Sequence, residues 1–273
     1  METIVVTGAA TGIGASTAER WKAGGHRVIG VGLADCEANA DLSEPGGRAR
    51  AVSEILDLAG GVVDGHAACA GLSRNSGDER KIIAVNFFGA FEPLLALRKA
   101  LSRGDRPGVA LVSSSGMLRP WGVPGALKAC LEMDEPGALE AVAADPRADG
   151  PFAQRPAYAT SKSALGPMAR RLAWQTEWTG AGITINVVAP GVTKTPTTDV
   201  DFATPEGEQR LLKAAPSPMN RIAEADEAAD PVAYFAEGRA RFVTGQVVFV
   251  DGGLDARRRP DDPILPLDDD RWV

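Results

Sequence analysis

Histidine and cysteine are scarce in this chain of 273 residues. The two histidines, His26 and His66, leave no basis for a zinc site built on imidazoles. A histidine-based nucleophilic triad would have to use one of the same two. The three cysteines (Cys36, Cys69 and Cys130) are odd in number, far apart and never in a CxxC pair. That spacing argues against a disulfide framework or a zinc ribbon and suits a reducing compartment. Positive charge is also short, with 29 Lys and Arg against 36 Asp and Glu and a net charge of −7. An acidic chain with no basic stripe is a poor nucleic-acid binder. No apolar run reaches the length of a membrane span, and the opening METIVVTGAA lacks the basic region of a signal peptide. The expectation is a cytoplasmic protein with neither a membrane nor a nucleic-acid partner. No G-x-S-x-G turn is present, which weakens a hydrolase reading.

What is present is an ordinary globular balance, 44% apolar and 24% charged, in a chain long enough for a full core. Short β-branched runs alternate with helical stretches. Strands are expected at residues 3–7, 26–31, near 41, 62–69, 109–113, 183–189 and 247–250. Helices are expected at 13–24, 46–59, 78–103, 156–180 and 224–237. Strands with continuous apolar runs, alternating with helices, predict an α/β fold: a doubly wound, Rossmann-type parallel sheet of about seven strands covered on both faces. No repeat or linker divides residues 1–254, which read as one domain. Residues 117–155 exceed an ordinary connection and are rich in proline and glycine, Pro120, Gly122, Pro124, Gly125, Pro136 and Gly137 among them. Parts of this insertion, 125–131 and 137–144, suit short helices that would wall one side of a pocket. The tail 255–273 is charged and proline-rich.

The segment TGAATGIG follows the first strand and opens the first helix, with Gly8, Gly12 and Gly14 in a G-x3-G-x-G spacing. Glycines there let the backbone turn sharply and approach a pyrophosphate, which the N–H groups of the helix start then receive. A bare strand–helix turn is the alternative, but the position in the first unit favours a dinucleotide, with Thr11 and Ile13 beside the glycines. An acid commonly follows the second strand to hold the adenosine ribose. Gly32 stands there instead, with Asp35 three residues on. No Arg or Lys occupies Thr11 or Leu33, where a partner for a 2′-phosphate is expected. NAD is therefore expected over NADP, unless Arg27 or Arg48 reaches that phosphate. Asp41 and Leu42 close the third strand. Asp41 either holds the adenine amino group or caps the following helix.

Tyr158 and Lys162 in YATSK share one helix face at i and i+4. A tyrosine used as acid or base near neutral pH needs its pKa lowered by a few units, about 3–4 kcal/mol. A neighbouring ammonium stabilises the phenolate by that kind of amount. The other tyrosine, Tyr234, lies beside Phe235 in an amphipathic stretch and reads as core. The strand ending in Ser113, Ser114 and Ser115 points its serines toward the carboxyl edge of the sheet, where open α/β folds bind ligands. Asn86 sits in an otherwise apolar helix, where it either satisfies backbone groups or holds a water.

Together, TGAATGIG, Asp41-Leu42, Cys69-Ala70-Gly71, Asn86, the serine strand end, YATSK, Pro190-Gly191 and the sequence VDGG at 250–253 resemble the short-chain dehydrogenase/reductase family. The resemblance spans residues 3–254 and implies strand order 3-2-1-4-5-6-7. It implies a tetrad of Asn86, Ser114 (with Ser115 as fallback), Tyr158 and Lys162. Asn86 would position a proton-relay water and Lys162 would depress the tyrosine pKa. Cofactor contacts are implied at Cys69, Ala70, Gly71, Pro190, Gly191, Val192, Thr193 and Thr195, with 196–220 as a substrate lid. Cys69 replaces the asparagine usual before Ala-Gly. The implied activity is interconversion of a secondary alcohol and a ketone, on a hydroxysteroid or another bulky cyclic or aryl compound. An aryl or allylic alcohol of coniferyl type is an alternative, as is a non-catalytic dinucleotide sensor on the same fold. The family's oligomers form through the long helices flanking the fifth strand. The insertion lies beside that surface, so a homodimer through another face is expected more than a tetramer.

Overall fold

A computed structural model describes residues 1–119, 122–151, 155–202 and 204–261. Pro120 and Trp121 of the insertion, and most of the tail, lie outside the described residues. The strands are β1 (Thr3–Thr7), β2 (Arg27–Gly32), β3 (Ala38–Asn39), β4 (Gly65–Ala68), β5 (Gly108–Val112), β6 (Thr184–Pro190) and β7 (Val247–Val250). They form one parallel sheet in the order β3-β2-β1-β4-β5-β6-β7, as the resemblance implied. The central strands β4, β5 and β6 are buried along their whole length, which explains why they are mainly apolar, with His66, Thr184 and Asn186 as buried polar exceptions.

Helices cover both faces. The first is α1 (Gly12–Ala23), then α2 (Pro45–Ala59), α3 (Glu79–Ile83) and α4 (Gly89–Leu101). They are followed by α5 (Pro124–Leu131), α6 (Glu135–Ala143) and α7 (Ala157–Ala173). The last four are α8 (Asp199–Phe202), α9 (Pro205–Ala214), α10 (Ala225–Ala236) and α11 (Leu254–Arg258). One core layer, with Ile29, Phe87, Leu94, Leu111, Leu165 and Ile185, lies beneath α2, α4 and α7. The other, with Ile4, Val6, Trp21, Val112, Val232 and Phe235, lies beneath α1 and α10.

Three expectations need correction. The single helix over 78–103 is divided: a π-helical turn, Ala84–Phe88, separates α3 from α4. Apolar periodicity cannot register that change of winding. The fourth strand is shorter than 62–69, because Val63 and Asp64 bond to Ala100 and Thr3 outside the ladder. Tyr234 is not core: it is 44% exposed on α10, with its ring against Phe235 and Arg239 above it.

The insertion folds as α5 and α6, which pack on each other and against α7 and α3. Asp134 caps α6 through the Gly137 N–H. A buried ion group fastens α6 to the domain. Arg48 of α2 donates through Nε to Glu92 Oε2 of α4 at 2.6 Å, through Nη2 to Glu135 of α6, and through Nη1 to the Leu42 carbonyl at 3.1 Å. Arg48 is thereby closed off from any 2′-phosphate. Arg27 opens β2 at the amino edge of the sheet, opposite the edge where the glycine turn lies.

Candidate active site

The turn after β1 is shaped by its backbone. Gly12 adopts φ +58°, and a Cβ on Gly14 would stand 2.1 Å from the Gly8 carbonyl oxygen. Only glycine suits either position. Thr11 is the N-cap of α1 but makes no side-chain capping bond, and the first turn carries no acid. The opening N–H groups of a twelve-residue helix are thus left for an anion, without carboxylate repulsion. Ala70 follows β4 and donates its N–H to Thr7 Oγ1 at 3.1 Å, which seats the Cys69-Ala70-Gly71 turn beside Gly8. Cys69 therefore keeps the turn that asparagine would make; its half-buried thiol is pushed up to about 12 by desolvation, so it stays neutral. Across the cleft, the chain after β6 brings Thr195 Cγ2 within 3.1 Å of where a Gly12 Cβ would stand. Thr193 is buried and bonds the Gly191 carbonyl at 3.3 Å.

These segments line a cleft of about 290 Å³ at the carboxyl edge of the sheet. Ser114, Tyr158 and Lys162 line it with them. Ser114 stands close enough to Tyr158 to act on its hydroxyl, and its Oγ accepts from the Gly116 N–H at 3.0 Å. Ser113 and Ser115 are buried instead, and the Ser113 hydroxyl donates to the Lys162 carbonyl at 2.8 Å. Ser114 is thus the serine facing the tyrosine.

Lys162 is almost fully buried and donates from Nζ to the Val112 carbonyl at 2.8 Å. Burial lowers its pKa to about 8. The Tyr158 pKa is raised above its ordinary value, chiefly by burial; the Ser114 hydrogen bond and the charge of Arg74 act in the opposite sense. The expected depression of Tyr158 by Lys162 is absent here. The ammonium is directed at the Val112 carbonyl, and burial makes it readier to lose its proton. Asn86 lies in the π turn, outside the cleft lining. Its Oδ1 accepts from the Leu72 N–H at 2.7 Å, and its Nδ2 donates to the Leu72 carbonyl at 3.0 Å and to Ser161 Oγ at 3.3 Å. These bonds fix backbone at the loop after Gly71, as the first of the two readings of Asn86 expects.

Gly32, Asp41 and Leu42 lie outside the cleft. The Asp41 carboxylate accepts from Ser43 N–H and Oγ at 2.9 and 2.6 Å and pairs with Lys81 at 3.5 Å. The N-cap of α2 is Glu44, so Asp41 builds a turn and is not the helix cap. A Cβ on Gly32 would stand 2.8 Å from Cys36 Sγ. Glu37 also approaches this strand: its Oε2 accepts from the Gly30 N–H at 2.8 Å. Leu211 of α9 and Ala215 reach the cleft from the 196–220 segment. Among the described residues of the insertion, only its two ends reach it, through Arg119 and Arg155; α5 and α6 do not.

Sequence reasoning missed the arginines Arg74, Arg119, Arg155 and Arg258, which enter the cleft from separate connections. No local spacing signals such a convergence. It also missed Glu79, a buried carboxylate that accepts from the Ala157 N–H at 2.8 Å and so caps the helix bearing Tyr158.

A family model described as enoyl-(acyl carrier protein) reductase matches residues 121–255. The chain is 35% identical to the 3-alpha-hydroxysteroid dehydrogenase/carbonyl reductase of Comamonas testosteroni, over 95% of this chain and 99% of that protein. It is 30% identical to the coniferyl-alcohol dehydrogenase of a Pseudomonas species, over 92% and 95%. Among solved structures, the 3-alpha-hydroxysteroid dehydrogenase from Pseudomonas sp. B-0831, complexed with NADH, superposes with a TM-score of 0.85 at 38% identity. That match covers 94% of this chain and 98% of the other.

Proposed function

The chain belongs to the short-chain dehydrogenase/reductase family, and on that premise we propose that it is an NAD-dependent oxidoreductase interconverting a secondary alcohol and a ketone. One observation carries the reading: Ser114, Tyr158 and Lys162 converge on the same cleft as the glycine turn and the open start of α1. The N–H groups of Gly12, Ile13 and Gly14 receive the pyrophosphate, Thr193 and Thr195 hold a phosphate or the carboxamide, and Lys162 holds ribose hydroxyls. Bound there, NAD supplies a hydride acceptor in one direction and, reduced, a hydride donor in the other. Tyr158 takes the proton from the alcohol oxygen during oxidation and returns it during reduction. Ser114 donates to that same oxygen and holds it against the tyrosine. Asn86 positions the loop at Leu72 that walls the cleft.

Two features support NAD over NADP. Glu37 places a carboxylate on Gly30 of β2, and a negative charge along that strand disfavours a 2′-phosphate nearby. Arg48, the nearest buried cation considered for that phosphate, is held by Glu92 and Glu135. The similarity to hydroxysteroid and coniferyl-alcohol dehydrogenases supports a bulky cyclic or aryl substrate. The test is NADH fluorescence during incubation with steroid, aryl and terpenoid alcohols and ketones. Turnover of at least one class is expected. Dinucleotide binding without turnover of any class would instead make the protein a sensor.

A further inference from the structure

The helix that bears Tyr158 and Lys162 begins without a cap of its own, since Pro156 at its N-cap offers no side-chain acceptor. Its first turn is held from outside. Glu79 takes the Ala157 N–H, and Thr160 makes a second attachment. Thr160 lies between the tyrosine and the lysine and is completely buried. A buried hydroxyl needs partners both as donor and as acceptor, and this one has them. Thr160 Oγ1 donates to the Pro156 carbonyl at 2.8 Å, one turn back on its own helix. It accepts from the Val123 N–H at 2.9 Å. Val123 is the N-cap of α5, the first helix of the insertion, and that helix has no side-chain cap either. One hydroxyl therefore joins the start of α5 to the start of α7.

Tyr158 stands inside the turn that Thr160 closes. Its ring rests on bare backbone: a Cβ on Gly116 would stand 3.0 Å from Tyr158 Cε1. Its carbonyl accepts from Ser161 Oγ at 3.1 Å, and Asn86 in turn donates to that serine. The phenol has little room, so a small displacement of the first turn changes its approach to Ser114. Misplacement of that size costs large factors in rate. The insertion itself is firmly held, because α5 packs on α6 and Glu135 of α6 bonds to Arg48. Neither α5 nor α6 lines the cleft, and Thr160 does not line it either. Any effect of this contact on the chemistry therefore passes through Tyr158.

We propose that Thr160 is a positioning residue: through its bond to the Val123 N–H, the insertion sets where the Tyr158 hydroxyl stands relative to Ser114. The proposal deepens the oxidoreductase reading and rests on it. A satisfied core hydroxyl with no such role is the alternative that the test must separate.

Thr160→Val keeps the branched shape and removes the hydroxyl. Its kcat, counted per NADH-binding site so that unfolded protein does not enter, is expected to fall by about tenfold to a hundredfold. The dinucleotide Kd should stay within about twofold, because no cofactor contact is lost. Thr160→Ser keeps the hydroxyl and should restore most of kcat. Val123→Pro leaves Thr160 intact and removes the N–H; its backbone, at φ −90° and ψ 114°, lies near what proline adopts. It should lower kcat as Thr160→Val does, and it carries the test where Thr160→Val fails to fold.

A second readout does not depend on turnover. The chain has two tyrosines, so NMR of protein labelled at tyrosine Cζ gives one signal from Tyr158 and one from Tyr234 as internal control. Thr160→Val and Val123→Pro should move the Tyr158 signal and its titration, Thr160→Ser should return both to the wild-type position, and the Tyr234 signal should stay. Unchanged kcat per NADH site in Thr160→Val, a loss that serine does not rescue, or a Tyr158 signal unmoved by both variants would overturn the proposal. A wild-type protein that turns over no alcohol or ketone would refute the oxidoreductase reading, and the Tyr158 signal would still decide whether Thr160 places the tyrosine.

Discussion

Lys162 is buried against a backbone carbonyl and titrates near 8, and Tyr158 titrates above its ordinary value. The sign of the pH response follows. Reduction needs the phenol, which is present at neutral pH and is lost only as the medium becomes strongly alkaline. Oxidation needs the phenolate, so its rate should climb steadily from neutral to alkaline pH. Above about 8 the lysine loses its charge, and the KM for the anionic dinucleotide should rise. Steady-state rates in both directions across that range check the signs. Tyr158→Phe removes only the proton-transfer group. Turnover should fall by about 10²–10⁴-fold while dinucleotide affinity, read by NADH fluorescence, stays within a factor of about two. A different residue governs acid stability. His66 is fully buried in the sheet, neither ring nitrogen has a hydrogen-bond partner among the described residues, and burial holds its pKa at about 4. Below pH 6.5 the unfolded chain takes a proton that the folded chain refuses until about 4. Stability is therefore lost as pH falls through that window, by about 3 kcal/mol. Urea unfolding of His66→Leu should show that slope flattened.

At the scale of elements, the helix bearing Tyr158 depends on a group from elsewhere in the chain. Pro156 gives α7 no side-chain cap, and Glu79 of α3 caps it instead through the Ala157 N–H. Glu79→Ala should cost about 1–2 kcal/mol by thermal unfolding and lower kcat more than it raises the dinucleotide KM, because Tyr158 is the first residue to lose register. Glu79→Gln, which keeps the acceptor, should restore most of both. This cap was invisible in the sequence, since its partners are 78 positions apart. The elements themselves were legible: β-branched runs at 3–7 and 184–190 and the Gly8–Gly14 spacing are local patterns with local causes. The Tyr158–Lys162 pair was legible because i and i+4 share a helix face. Its electrostatics were not, because the direction of the Lys162 side chain is set by Val112 on another element. The same limit explains the π turn at Asn86 and the arginine cluster, both products of tertiary packing.

At the scale of the molecule, the described helices of the insertion lie over α3 and α7 and are pinned by Glu135 to Arg48. They therefore lie on the side where the family resemblance leads us to expect association. A homodimer through the β7 and α10 side is the expected assembly. There β7 is an edge strand with half-exposed residues, and Phe242 is fully exposed. Light scattering should give the mass of two chains. Replacing residues 120–152 with a short glycine-rich loop should change that mass and leave dinucleotide affinity unchanged; an unchanged mass would make the insertion a passive covering. The central claim is that the cleft carries a hydride between a secondary alcohol and a nicotinamide ring. It is tested most directly with NAD and a substrate alcohol deuterated at its carbinol carbon. The account predicts that the deuterium appears at C4 of the reduced nicotinamide and that Tyr158→Phe abolishes the transfer. Tight dinucleotide binding with no deuterium transferred from any alcohol in the panel would contradict it.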